Sequence, residues 1–583
     1  MSTVALKEKQ ETAKKPEVVK EITGAEAVIQ SLLAEGVETI FGYPGGAIMP
    51  VYDALYHQLN HIHHILTRHE QGSIHAAQGY ARTSGKVGVV FATSGPGATN
   101  SVTGLADAMI DSTPIVCITG QVVASLLGTD AFQETDVINV TNPVTKWNIQ
   151  VTRAEDIPAA IAKAFYIAKS GRPGPVLIDI TKDAQFGKVA YHYEKCGQIK
   201  THHPKPKLNM AEVEAAAQLI NSAKKPYLMV GQGVILSGAT EEFRAFAEKS
   251  GIPVASTLLG LSAFPADHPL YVGFLGMHGN YACNHQINQC DVLIAVGLRF
   301  DDRITGDLKK YAKQARIVHI ELDKAEINKN VKAAVSVHAD AREALKALIE
   351  KTDKREHAEW MKEFKKLRHD EYEKIIKKDW HPQSGKIKMG EVIHILSDKT
   401  KGDAVVVTDV GQHQMVVSRY FDFKHPRTNV TSGGLGTMGF GLPAAMGAKL
   451  GTPHKEVIAV MGDGGFQMTL QELGTISENN IGIKMIVLNN HFLGMVRQWQ
   501  QLFFDKRYSF TDISGPDLVK LADAYGIPAQ RVKEHKDIAG AIDTMLKHKG
   551  PFLLEVEVEK EENVFPMVPA GAGVSDMILE LPE

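Results

Sequence analysis

Two strand-like runs late in this chain each end in an oxygen-bearing side chain. VIAVMGDGG carries Asp463 between Gly462 and Gly464, and KMIVLNN ends in Asn489 and Asn490. Both runs are short, apolar and β-branched, the pattern of strands buried on both faces of a parallel sheet. Adjacent parallel strands would bring the carboxylate of Asp463 and the carboxamide of Asn490 to one sheet edge. Such donors suit a hard divalent cation such as Mg2+, which shares its coordination with phosphate oxygens. Gly464 and Gly465 leave backbone N–H groups open to a diphosphate, and the helix after them would aim its N-terminus at the same point. The plainer reading of Gly-Asp-Gly is a turn beside a polar cap; the second run with its paired asparagines favours the ligand reading.

Other residues carry two readings each. Glu70, in RHEQGSIHAAQGYAR, opens a helix of small residues. It is either an acid in a working site or a helix-start glutamate stabilised by the helix dipole. Its neighbours Gly72, Ala76, Ala77 and Gly79 permit close packing against a cofactor or a second subunit. Arg303 either grips a substrate carboxylate in bidentate fashion or pairs at the surface with Asp301 or Asp302. Met495 and Trp499 are four residues apart and share a helix face, as a pocket wall or as a core stripe. Met438 is a cofactor support or core filling. Gly434, Gly436 and Gly439 satisfy G-x-G-x-x-G, but no clear buried strand runs into them, so a dinucleotide reading is weak. The run Gly231-Gln-Gly233 is weaker still, and His61, His63 and His64 read as a solvated loop.

These residues need a scaffold of buried strands. Strand-like runs recur at 87–93, 115–119 and 176–180, at 227–230, 292–296 and 317–321, and at 404–408, 457–461, 484–488 and 552–556. Each leads through glycine or a small polar residue into a helical pattern. The predicted fold is therefore α/β, with three doubly wound parallel-sheet domains at 21–187, 207–349 and 382–560. THHPKPK at 201–207 reads as a linker. The Lys/Glu-dense stretch 350–381 reads as an exposed helix or connector, residues 1–20 as a disordered arm, and 561–583 as a C-terminal tail. In open α/β sheets, ligands bind beyond the carboxyl ends of the strands, where the motifs above fall.

Composition removes other classes. The chain has 583 residues and a net charge of −3, so no global charge attracts nucleic acid or an anionic membrane. No apolar run approaches the roughly 18–20 residues of a membrane helix. Cys117, Cys196, Cys283 and Cys290 form no CxxC pair, which fits a reducing compartment. The first residues have no apolar leader segment and mix Lys with Glu, unlike an organellar transit peptide. The expected location is the cytoplasm.

The GDG and NN pair resembles the thiamine-diphosphate signature. HEQGSIHAAQGYAR resembles the first-domain signature shared by pyruvate oxidases and acetohydroxyacid synthases, with Ser73 and His75 at its tolerant positions. Resemblance to the acetohydroxyacid synthase catalytic subunit runs from about residue 22 to the C-terminus. It is carried by FGYPGG at 41–46, ATSGPGATN at 92–100, TGQV at 119–122, GTDAFQE at 128–134, GRPGPVLIDI at 171–180 and LGMHG at 275–279. RFDDR at 299–303 and NNHFLGMVRQWQ at 489–500 separate this family from catabolic acetolactate synthases and from pyruvate oxidases and decarboxylases.

That resemblance implies three roles for the domains: pyrimidine-binding, central FAD-binding and diphosphate-binding. It implies Mg2+ held by Asp463, Asn490 and the Phe492 carbonyl, and Glu70 as the group that activates the thiamine. It places Gly411, Gln412, His413, Gly436, Met438, Gly464, Gly465, Gly494 and Met495 against thiamine diphosphate. Arg172, Gly276, His278, Arg299, Glu321 and Asp340 would hold a structural FAD. Gln121 and Lys182 would lie near the reacting centre, with Arg303 and Trp499 selecting the acceptor. Pyruvate would be decarboxylated and its two-carbon unit joined to a second pyruvate or to 2-ketobutyrate, feeding branched-chain amino-acid synthesis. Glu70 and Asp463 would serve one cofactor from different chains, so a homodimer or dimer of dimers is expected, with a small regulatory subunit as partner. The competing readings are a 2-keto acid decarboxylase, a flavin-dependent pyruvate oxidase and a degenerate binding paralogue.

Overall fold

The computed structural model describes residues 21–202, 204–383 and 385–581; the arm expected at 1–20 lies outside them. Three six-stranded sheets organise the chain, and every strand pairing within them is parallel. The first runs, edge to edge, His63–Leu66, Thr39–Gly42, Gly88–Ala92, Ile115–Gln121, Pro175–Thr181, Trp147–Val151. The second runs Tyr271–Phe274, Val254–Ser256, Pro226–Val230, Val292–Val296, Arg316–Glu321, Val335–His338. The third runs Asn429–Thr431, Val405–Thr408, Val457–Gly462, Lys484–Asn489, Phe552–Glu557, Ala529–Val532. A short antiparallel pair, Glu21–Thr23 with Lys188–Ala190, closes the first domain.

Central strands such as Val292–Val296 and Gly88–Ala92 are buried at every position, because helices cover both faces of each sheet. In the third sheet Val405–Thr408 sits between Asn429–Thr431 and Val457–Gly462. The chain leaves it toward one side and returns on the other. That reversal opens a crevice beyond the carboxyl ends of Val405–Thr408 and Val457–Gly462, where α/β sheets bind ligands.

The first and third domains share one core. Phe41, Ile74, Ala77 and Tyr80 pack in the same cluster as Phe440, Ala444, Met446 and Ile476. The junction is the contact of helix Glu70–Ser84 with helix Gly441–Gly451. A Cβ on Gly79 would stand 1.9 Å from the Ala444 carbonyl oxygen. The small residues after Glu70 therefore serve a contact inside the chain, where sequence alone offered a cofactor or a second subunit.

Three other expectations change. His63 and His64 belong to the edge strand His63–Leu66, and the His64 Nε2 pairs with the Tyr52 hydroxyl at 3.0 Å, so they are no solvated loop. The charged stretch is helical over Ala358–Glu371, but Trp360 and Phe364 bury one side of it and Glu371 is fully enclosed. A buried strand, Asn429–Thr431, does run toward Gly434, though at three residues it is too short for periodicity to reveal. Among the described residues, no helix is long and apolar enough to cross a membrane.

Candidate active site

Strands Val457–Gly462 and Lys484–Asn489 are direct neighbours, with Gly462 opposite Leu488, so Asp463 and Asn490 emerge side by side. Asp463 is itself the first residue of helix Asp463–Thr469, so the helix takes in Gly464 and Gly465 where the sequence reading started it after them. Its carboxyl is buried and its Oδ1 has no hydrogen-bond partner. Burial, the largest influence, pushes that carboxyl up to about 7. Asn490 accepts the Phe492 N–H at 3.1 Å, which folds the Phe492 backbone back beside it. One orphaned carboxylate oxygen, one carboxamide and a backbone turn form an oxygen donor set that fits a divalent cation shared with phosphates.

Around this point lies a small cavity of about 50 Å3, lined by Gly411, Gln412, His413, Met438, Gly464, Gly465, Asn490, Phe492, Gly494 and Met495. His413 is enclosed, its Nε2 is unpaired, and burial lowers it to about 4, so it stands neutral at pH 7. Gln412 donates to Gln498 Oε1 at 2.9 Å and to the Glu562 carbonyl at 2.7 Å. Gly436 has φ +71°, a left-handed conformation that a side chain would strain.

A second cavity of about 1220 Å3 opens from the same walls, sharing Gly411, Met438, Met495 and Val496. Typical ligand pockets span about 300–1,000 Å3, so this one has room for more than one occupant. Arg172, Gly276, His278, Arg299, Glu321 and Asp340 all line it, as do Gly436, Arg303 and Trp499. Glu321 ends its strand inside the cavity, and burial raises its carboxyl to about 7. His278 is buried with an unpaired Nδ1, lowered to about 3 by burial and then by Arg419 and Arg303. Asp340 caps helix Ala341–Lys351 by accepting the Arg342 N–H at 3.0 Å. These orphaned polar atoms and the strand-end carboxyl fit a large polar cofactor. Pro204 and Lys205 of the expected linker also line the cavity.

Arg303 is well exposed and pairs with Asp302 at 3.7 Å, while Asp301 caps the Arg303 and Ile304 N–H groups, both at 3.1 Å. An exposed pair of this length is weak and leaves the guanidinium available to the cavity. On helix Gly494–Phe503 the buried residues are Arg497 and Gln498. Met495 and Trp499 thus wall the cavity instead of filling a core.

Glu70, Gln121 and Lys182 line neither cavity. Glu70 opens its helix behind the His69 N-cap and accepts the Asn100 Nδ2 at 3.0 Å. Gln121 is buried at the end of strand Ile115–Gln121 and donates to Asp179 at 3.0 Å. Lys182 begins the helix after strand Pro175–Thr181. These three belong to the strand ends of the first domain; the other candidates lie in the second and third, except Arg172, which sits just ahead of strand Pro175–Thr181 in the first.

Sequence reasoning missed several supports. Asp409 is completely buried and accepts the N–H groups of Val410, Gly439 and Gly441 at 2.8, 3.1 and 2.8 Å, bracing the loop that carries Met438. Asp107 and Asp111 brace the same loop from the first domain. An aspartate pair one turn apart in the otherwise apolar GLADAMID was the available signal.

Three family descriptions match consecutive parts of the chain. Thiamine pyrophosphate enzyme, N-terminal TPP binding domain, covers residues 22–140; the central domain covers 213–348; the C-terminal TPP binding domain covers 409–556. Curated relatives align along nearly the whole length. The acetolactate synthase large subunit of Lactococcus lactis is 45% identical, covering 97% of each chain. The acetolactate synthase isozyme 2 large subunit of Escherichia coli is 46% identical, covering 96% of this chain and 100% of its own. Acetolactate synthase 1, chloroplastic, of Nicotiana tabacum is 44% identical, covering 96% and 85%.

Proposed function

The chain belongs to the acetolactate synthase large subunits, and from that premise we propose how its residues divide the work. It is a thiamine-diphosphate-dependent acetohydroxyacid synthase. It decarboxylates pyruvate and joins the remaining two-carbon unit to a second pyruvate or to 2-ketobutyrate. The products, 2-acetolactate and 2-aceto-2-hydroxybutyrate, lead to the branched-chain amino acids.

Bound thiamine diphosphate supplies a nucleophilic carbon and an electron sink for decarboxylation. Mg2+, held by Asp463, Asn490 and the Phe492 carbonyl, would fix its diphosphate, with the N–H groups near Gly464 and Gly465 completing the cradle. Gly411, Gln412, His413, Gly436, Gly494 and Met495 would frame the cofactor, and Met438 would support it. Glu70 would hydrogen-bond the aminopyrimidine nitrogen and hold the proton there that activation of the cofactor requires. Gln121 and Lys182 would flank the reacting centre. Arg303 would hold the acceptor carboxylate, and Trp499 would give the longer acceptor an apolar wall.

The observation that carries this reading is the pairing of strands Val457–Gly462 and Lys484–Asn489, which sets Asp463 and Asn490 together beside a cavity walled by Met438 and Met495. FAD would occupy the larger cavity through Arg172, Gly276, His278, Arg299, Glu321 and Asp340, as structure and without turnover. Since Glu70 lines neither cavity of its own chain, a partner subunit would supply it and receive one in return. A homodimer, or a dimer of these, is the smallest complete enzyme, working in the cytoplasm with a small regulatory subunit.

Product analysis with pyruvate and 2-ketobutyrate together tests this. Both acetohydroxyacids should form only when Mg2+ and thiamine diphosphate are present. Release of acetaldehyde alone, or flavin bleaching at turnover speed, would replace the synthase with a decarboxylase or an oxidase.

A further inference from the structure

Two buried aspartates, Asp107 on helix Val102–Ile110 and Asp111 at its C-cap, have no place in the chemistry above. Asp111 accepts the N–H groups of Gly433 and Gly434 at 2.8 and 2.7 Å and the Arg82 Nη2 at 2.9 Å. Arg82 also donates to the Gln78 Oε1, to the Thr113 hydroxyl and to the Thr431 carbonyl. Asp107 Oδ1 accepts the hydroxyls of Ser432 and Thr437, and the Ser432 hydroxyl accepts the Thr437 N–H at 2.8 Å. Loop 431–437 is thereby fastened to the first domain, and Met438 follows it directly.

The residues on either side of Asp111 offer polar atoms to a different partner. Arg172 donates its Nε to the Ser112 hydroxyl at 2.8 Å and its Nη2 to the Ile110 carbonyl at 3.1 Å. Ser112 has φ +57°, a left-handed conformation that is strained for a serine. That turn lets one short segment hold two things: the Asp111 carboxylate and the Ile110 side chain meet the loop before Met438, while the Ile110 carbonyl and the Ser112 hydroxyl hold Arg172 at the large cavity. Arg299 closes the arrangement, since a Cβ on Gly434 would stand 2.7 Å from its Nη2 and 3.0 Å from Asp111 Oδ1.

We propose that the turn Ile110–Asp111–Ser112 links the two cofactor sites, so that a flavin held by Arg172 and Arg299 favours the loop geometry that binds thiamine diphosphate, with Asp111 as the positioning residue. The proposal rests on the two sites assigned above. It gives a flavin that takes no part in the reaction a physical task, which is to tighten the other cofactor. A coupling free energy acts equally in both directions, so thiamine diphosphate must tighten the flavin by the same factor.

The test uses full-length protein stripped of both cofactors, at fixed Mg2+, with binding followed by calorimetry. In the wild type, saturating FAD should lower the Kd of thiamine diphosphate about fivefold or more, within the usual range of coupling between sites. Asp111→Asn should bind each cofactor with that factor reduced to near one. Ser112→Gly, which accepts the same φ without strain and loses the hydroxyl that Arg172 grips, should at least halve it and decides the matter if Asp111→Asn does not fold. A wild type that binds both cofactors with no mutual effect overturns the link while leaving the sites intact, as does full coupling in either variant. A wild type that binds neither cofactor overturns the site assignment, and the link with it.

Discussion

A Cβ on Gly447 would stand 1.7 Å from the carbonyl oxygen of Ala76. These residues lie on helices Gly441–Gly451 and Glu70–Ser84, whose backbones meet here with no side chain between them. The segment before Glu70 is held from the same side: Glu472, fully buried, accepts the Arg68 N–H at 2.9 Å, and Thr475 donates to the Leu66 carbonyl at 3.1 Å. The first-domain helix that carries Glu70 is thus built into the third domain of its own chain.

Gly447→Val should therefore separate the domains. Overpacking against backbone costs roughly 3 kcal/mol or more, since neither partner can rotate away. A thermal melt should show a large drop in midpoint or loss of soluble protein, whereas Gly540→Ala, at an open position with nothing within 4 Å, should melt near the wild type.

Glu70→Gln should leave the melt and thiamine diphosphate binding close to normal while lowering turnover by about 100-fold or more, the usual scale for losing a proton-transfer partner. Steady-state acetolactate formation measures this, and near-normal turnover would remove Glu70 from the mechanism.

Trp499→Leu should shorten the apolar wall that Met495 and Trp499 give the large cavity. One methylene in such a pocket is worth about 1–3 kcal/mol, so preference for 2-ketobutyrate over pyruvate as acceptor should fall roughly tenfold. The product ratio in a mixed-substrate assay reads it directly, and an unchanged ratio counts against this wall.

His75 supplies a pH prediction. It is fully buried on the Glu70 helix, set edge-on against Phe440 at 5.2 Å, and burial, with a smaller push from Arg82, lowers it to about 3. The folded state keeps it neutral, while the unfolded chain takes up a proton below about 6.5. The stabilisation is present above pH 6.5 and is lost as pH falls toward 3, with a slope of up to about 1.4 kcal/mol per unit. Urea midpoints at pH 7 and pH 5 should diverge more for the wild type than for His75→Asn, because His278 and His413 shift the same way in both proteins.

Much of the fold was legible in the sequence because buried parallel strands announce themselves: VLIAV, and the MIVL between Lys484 and Asn489, carry no polar residue at the positions that meet helices on both faces. The Asp463 and Asn490 edge was legible for the same reason, each residue ending such a run. Shorter strands were hidden, as with Asn429–Thr431, whose three residues show no period. Long-range polar supports were hidden too. Nothing local in GLADAMIDS reveals that Asp111 holds Gly433, or in LQELG that Glu472 holds Arg68, since those partners lie hundreds of residues away. The small residues after Glu70 gave a correct signal of close approach without naming what approaches.

The central claim is that each site joins Asp463 of one chain to Glu70 of another, and mixing two dead variants tests it most directly. Glu70→Gln and Asp463→Asn chains, each inactive alone, are co-expressed with different tags and the mixed dimer is isolated. One of its two sites then combines an intact Asp463 with an intact Glu70 from the partner, and the other carries both lesions. Acetolactate formation at about half the wild-type rate per dimer is the predicted result; a mixed dimer as inactive as its parents would contradict the account.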